Sequence, residues 1–140
     1  MDPLSIIAST VAVAHALHVS LRTIVATRRA RPELTALYNE VSDLRLVLQE
    51  LELTLEQQER ESGTPPPNSR LLESINLSKQ KLDQLSAEVA SWNLQQPLLS
   101  PEAEQKRFRL LRIANKAQKF REELKEIKVN LSTQLSILSA

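Results

Sequence analysis

Apolar residues recur along this chain at steps of three and four, and polar or proline-rich interruptions divide the pattern into four segments. The second is the most regular: Leu34, Leu37, Val41, Leu44, Leu48, Leu51 and Leu55 step alternately by 3 and 4, a sustained heptad seam. Pro32 and Glu33 open it, a first-turn proline whose missing N–H costs nothing there and an acid beside it. Because Tyr38, Leu46, Val47 and Leu53 widen the stripe, it reads as the core face of an antiparallel bundle in preference to a homotypic coiled coil. The third segment carries Leu71, Leu72, Ile75, Leu82, Leu85, Val89 and Trp92 at helical spacing, with Trp92 expected to cap the core. In the fourth, Ser100, Pro101, Glu102 and Glu104 supply a cap, a first-turn proline and first-turn acids. Leu110, Ile113, Ala117, Phe120, Leu124, Ile127 and Leu131 then alternate by 3 and 4 again. Breaks fall at Ser62 to Asn68, which holds three successive prolines, and between Pro97 and Pro101.

The first segment is of another kind. From Pro3 to Leu21 no residue carries a formal charge, with Asp2 placed as an N-cap. Leu4, Ile6, Ile7, Val11, Val13, Leu17 and Leu21 lie all round the helix this predicts, so the expectation is that it is enclosed on every side. Two environments do that. At 1.5 Å per residue the uncharged run is roughly 28 Å long, near the ~30 Å of a bilayer's hydrocarbon core. Its many Ala, Ser, Thr and His residues instead favour packing against other helices. The bundle interior is therefore the expected resting place and the membrane a second state, with the seven apolar residues just named as the candidate membrane-engaging set. The predicted fold is all-α: one antiparallel four-helix bundle domain over 1–140, with helices at about 3–29, 32–61, 69–91 and 101–138.

Composition sharpens this picture. The only glycine is Gly63 and aromatic residues make up 3% of the chain, which leaves too little for a β-protein or a phosphate-cradling loop. Cysteine is absent, excluding disulfides and thiolate chemistry and making the cytoplasm the default location. No Lys or Arg precedes the apolar run, so it does not read as a secretory signal, and Asp2 excludes myristoylation at that position. The chain ends on Leu138-Ser139-Ala140 without a polar tail, which leaves room for a longer protein to continue.

A net charge of +1 conceals strong segregation: residues 1–31 sum to +3, 32–61 to −6, 62–100 to zero and 101–140 to +4. With helices running up-down-up-down, the end of the first and the start of the fourth share a basic pole. The candidate contacts to an anionic surface are Arg22, Arg28, Arg29 and Arg31 together with Arg109, Arg112, Lys116 and Lys119. For the stripe in the fourth helix three readings stand: a solvated face pairing with the acidic second helix, an anionic lipid surface, or nucleic acid, the last disfavoured by the lack of stacking aromatics and recognisable motifs. Glu50, Glu52, Glu56, Glu59 and Glu61 crowd the other pole at the end of the second helix, against the helix dipole, and predict fraying there.

Catalytic chemistry finds no foothold. His15 and His18 sit three apart, but no Asp, Glu or Cys lies within a turn to complete a metal site or orient a base. No phosphate loop or dinucleotide fingerprint is present, so neither an enzyme, a cofactor, a small-molecule substrate nor a nucleic-acid partner is expected. The partners expected are another copy or a partner helix, and an anionic membrane.

Met1-Asp2-Pro3-Leu4-Ser5-Ile6-Ile7-Ala8 and Glu40-Val41-Ser42-Asp43-Leu44-Arg45-Leu46-Val47-Leu48 carry a resemblance to a known family. They resemble the HeLo-like N-terminal domain that precedes NACHT, NB-ARC or ankyrin-repeat regions in fungal STAND-type receptors, a family also named after an azaphilone pigment cluster protein. The resemblance covers nearly the whole chain. Members usually carry glycines in the first helix, and this chain has none there. What it implies is a helical bundle in a signalling protein related to cell-death domains, in which receptor activation clusters the bundles and frees the first helix to engage membrane. An adaptor or regulatory module without membrane activity is the other function it accommodates.

Overall fold

The computed structural model describes residues 3–27, 32–62, 69–92 and 103–139, and among them the secondary structure is helical. Four helices follow in order: α1 Pro3–Thr27, α2 Pro32–Ser62, α3 Ser69–Ser91 and α4 Ala103–Ser139. These bounds agree with the sequence reading to within about two residues, while 28–29 and 101–102 lie outside the described residues. Pro32 opens α2 as expected, and the Trp92 amide closes α3 by donating to the carbonyls of Glu88 and Val89 at 3.1 and 3.0 Å.

Side-chain pairs fix the directions. His18 meets Tyr38 and His15 meets Arg45, so α1 and α2 are antiparallel. Lys81 pairs with Glu123 and Lys116 with Glu88, so α3 and α4 are antiparallel too. Lys128 reaches Glu40 and Asp43, while Gln58 donates to the Leu138 carbonyl, which makes α2 and α4 parallel. The result is an up-down-up-down bundle whose cyclic order is α1, α2, α4, α3, with α1 diagonal to α4 and α2 diagonal to α3.

In α2 the seam residues Leu34, Leu37, Val41, Leu44, Leu48, Leu51 and Leu55 are all buried. Facing it are Ile113, Ala117, Leu124, Ile127 and Leu131 of α4, with Phe120 partly buried, and Leu71, Ile75, Leu82, Leu85 and Val89 of α3. Leu110 lies outside the described side chains. Trp92 is buried at the end of α3, its indole N–H donating to Glu88 Oε1 at 3.2 Å, and caps the core as expected. The widened α2 stripe needs correction: Tyr38 and Val47 pack on the core, but Leu46 and Leu53 point to solvent at 53% and 64% exposure. Among the described helices α2 touches only α1 and α4, and neither covers Leu46 and Leu53.

The interior is not wholly apolar. Thr10 and Ser78 are fully buried, and each donates its hydroxyl to its own helix, at 2.7 Å to Ile6 O and 2.8 Å to Ser74 O. Gln134 stands where the α4 seam calls for an apolar residue, and its amide donates to Ser74 Oγ at 2.6 Å, tying α4 to α3.

Candidate membrane-engaging helix and its basic neighbours

Helix α1 buries one stripe: Ile6, Ile7, Thr10, Ala14, Leu17, His18 and Leu21. Leu4, Val11 and Val13 pack against the rim of the core, half-buried. The candidate membrane-engaging residues are thus the very groups that hold α1 to α2 and α3. The expectation of enclosure on every side is overturned. Ser5, Ala8, Ala12, Ala16, Val19, Thr23 and Ala26 form an outer face in contact with solvent, because α4 sits diagonally and only two helices cover α1. Side-chain size resolves the conflict: the largest aliphatics turn inward, and among those exposed large hydrophobics Val19, at 39%, is the only one on α1. Small side chains face water at little cost, since each exposes little apolar area.

By length and composition α1 is the one helix among the described residues able to cross a bilayer, and 39% of its most apolar stretch is buried in the bundle. Fully burying a Leu or Ile contributes about 1.5–3 kcal/mol, so Ile6, Ile7, Leu17 and Leu21 together hold α1 by about 6–12 kcal/mol. That is comparable to the whole stability of an ordinary domain. Release into water is therefore prohibitive, while release into hydrocarbon returns most of the loss.

Arg22 is exposed on the last turns of α1, and Arg112 and Lys119 are exposed on α4. The helix directions bring the end of α1 and the early part of α4 to the same pole. Arg28, Arg29, Arg31 and the Arg109 side chain lie outside the described residues. Lys116 is engaged: its ammonium donates to Glu88 Oε1 at 2.8 Å, and this bond, opposed by burial and helped by Trp92, lowers the Glu88 pKa. Within the α4 stripe Lys116 thus pairs with α3, whereas one reading had the stripe pairing with α2. The α2 acids find Lys128 instead, off the stripe, 2.8 Å from the buried Glu40 and 3.6 Å from Asp43. Hydrogen bonding to Glu40 is the chief cause that raises the Lys128 pKa.

The histidines lie at the α1–α2 contact. His18 is buried and stacks on Tyr38, ring centroids 4.9 Å apart at 23°. Burial, then Arg45, Arg22 and His15, lower its pKa. His15 is exposed, with Nδ1 3.3 Å from Arg45 Nη1. Among the described residues no three His, Cys, Asp or Glu side chains converge in a way that would hold a metal ion. At the acidic pole, burial and then Glu56 raise the Glu52 pKa.

Sequence reasoning missed the Glu40–Lys128 pair, the His18–Tyr38 stack and the Ser74–Gln134 tie. Gln134 was findable, as a polar residue at a seam position. The other two join residues whose spacing says nothing about one another.

Comparison with known protein families, with curated proteins and with solved structures finds no match.

Proposed function

We propose that this domain is a non-enzymatic signalling and oligomerisation module of a fungal receptor-like protein, of the HeLo-like kind, whose α1 passes from bundle to anionic membrane on activation. The observation that carries the reading is the build of α1: a helix of bilayer-spanning length, uncharged from Pro3 to Leu21, held by one stripe and bare of charge on the other side. From Pro3 to Leu21 such a helix has no formal charge to strip of water on entering hydrocarbon, and its first charge is Arg22 near its end. Arg22, Arg112 and Lys119 are exposed near one end of the bundle, and each cation engaged by an anionic surface contributes up to ~1 kcal/mol to holding the domain there. Clustering would lower the barrier by presenting several helices at once.

Vesicle flotation and dye leakage test this, with anionic and with zwitterionic lipid, on the free chain and on copies joined by a fused oligomeriser. Binding to anionic vesicles, with leakage from the joined copies, is expected. Neither binding nor leakage from any form would overturn it.

The adaptor reading keeps support from Leu46 and Leu53, a heptad apart and exposed on the outer face of α2. Its original surface, the Leu34 to Leu55 seam, is used up inside the bundle. Replacing both exposed leucines by Lys leaves membrane binding intact under the first reading and removes a partner helix under the second.

A further inference from the structure

Among the described residues, the interactions found at His15, His18, Arg22, Tyr38 and Arg45 on the α1–α2 contact involve no carboxylate. His15 and Arg45 are joined at 3.3 Å, and a guanidinium has only hydrogens to give, so His15 Nδ1 must offer its lone pair. That requires the imidazole to be neutral at Nδ1. One turn along, His18 is buried flat against Tyr38, and the charges acting on it are Arg45 across the contact and Arg22 and His15 on its own helix. Helix α3, the other element packed on α1, lines a groove with it where Leu17, Ser20 and Ile24 face Ser86, Val89 and Ala90, none of them charged. The buried His18 imidazole is thus accepted in its neutral form and opposed in its charged form.

We propose that His18 is a proton-operated latch: neutral, it fastens α1 to α2 against the Tyr38 ring; protonated, it sets a like charge beside Arg45 and Arg22 and loosens α1. Protonating His18 buries a charge whose only compensation is the face of the Tyr38 ring. The His18 pKa, already lowered by burial and by these neighbours, gives the sign. Between its folded value and the ordinary value near 6.5, the unfolded chain binds more protons than the folded one, so stability falls with acidification across that window and levels off below it. The opposite pole responds in the other sense, because neutralising Glu52 relieves its repulsion with Glu56, so variants and not the wild type alone must isolate the latch.

As a regulator of membrane engagement the latch rests on the preceding reading; as a property of the bundle in solution it does not, and the experiment uses no lipid. Residues 1–140 are titrated by NMR on the two imidazole signals. Folding constants are measured in urea at pH 7.5 and 5.0 for the wild type and for the double variant His15→Gln with His18→Phe, which keeps an acceptor for Arg45 and a ring for Tyr38 without a proton to take up. His18 is expected to titrate below the ordinary histidine value. The wild-type folding constant is expected to drop about ten-fold on acidification, and that of the double variant by at most about three-fold. Amide protection in α1 should fall before that in α4. His18 titrating at or above the ordinary value would overturn the latch even if the double variant did not fold, and so would equal acid losses in the two proteins.

Discussion

Helices α1 and α2 lie side by side, antiparallel, and each buries a stripe spaced by threes and fours, yet their remaining surfaces differ in kind. The outer side of α2 is dressed with Glu50, Gln57, Arg60 and Glu61, with Leu46 and Leu53 as isolated apolar points. That of α1 carries Ala, Ser, Thr, one Val and His15, with no formal charge before Arg22. Both surfaces are compatible with water, the first because it is charged and the second because it is small. Only the second is also compatible with hydrocarbon. Mean hydropathy alone hides this distinction: it says which solvents a helix tolerates, whereas side-chain size says which face the bundle takes.

Four substitutions sharpen or break that contrast. The largest effect is expected from Leu48→Asp in the α2 seam, where an unpaired charge at a site with no solvent exposure costs more than about 4 kcal/mol and abolishes cooperative unfolding in a urea titration. Leu17→Ala on the inner stripe of α1 should cost about 2–5 kcal/mol by the same measurement, the cavity adding to the lost burial. Lys128→Met strands the buried Glu40 and is expected to cost about 2–4 kcal/mol, less if Asp43 and solvent rearrange. In the wild type that contribution is present below the ordinary lysine value and is lost as pH rises through the raised pKa of Lys128. The smallest effect belongs to Ala12→Glu on the outer face of α1, within about 0.5 kcal/mol of wild type. A large loss there would show that the outer face is structural after all.

Two finer outcomes follow from the pairs at the poles. The Glu88–Lys116 bond lowers the Glu88 pKa, so its contribution exists above the ordinary glutamate value and is lost as pH falls through the depressed one. Lys116 is largely exposed, so the effect is a few tenths of a kcal/mol, and Glu88→Gln should remove it from a pH series of melting temperatures. At the end of α2, amides of residues 56–61 are expected to exchange faster than those of 41–51, with equal protection contradicting the frayed end.

Much of the bundle was legible. A regular seam such as Leu34 to Leu55 leaves little choice, because any other partner face would strand seven aliphatics in water. Trp92 was legible for a related reason, as a large apolar group at a helix end. The orientation of α1 was not, since its apolar residues surround the axis and periodicity offers no preferred side. The deciding information, that among the described residues α1 touches α2 and α3 but not α4, is a matter of cyclic order, which short connections do not specify. The same ambiguity concealed the ion partners: choosing between Glu88 and the α2 acids for Lys116 required knowing which helix stands beside which side of α4.

Because the chain contains no cysteine, single cysteines can report on each face. The decisive comparison is the rate at which a membrane-impermeant thiol reagent labels Ala12→Cys on α1 and Leu53→Cys on α2, first in solution and then with anionic vesicles that have bound the protein. Both positions should react readily in solution, and on vesicles Ala12→Cys should fall silent while Leu53→Cys reacts as before. If Ala12→Cys is labelled as fast on bound vesicles as in buffer, α1 does not enter the bilayer and the account of its uncharged face is wrong.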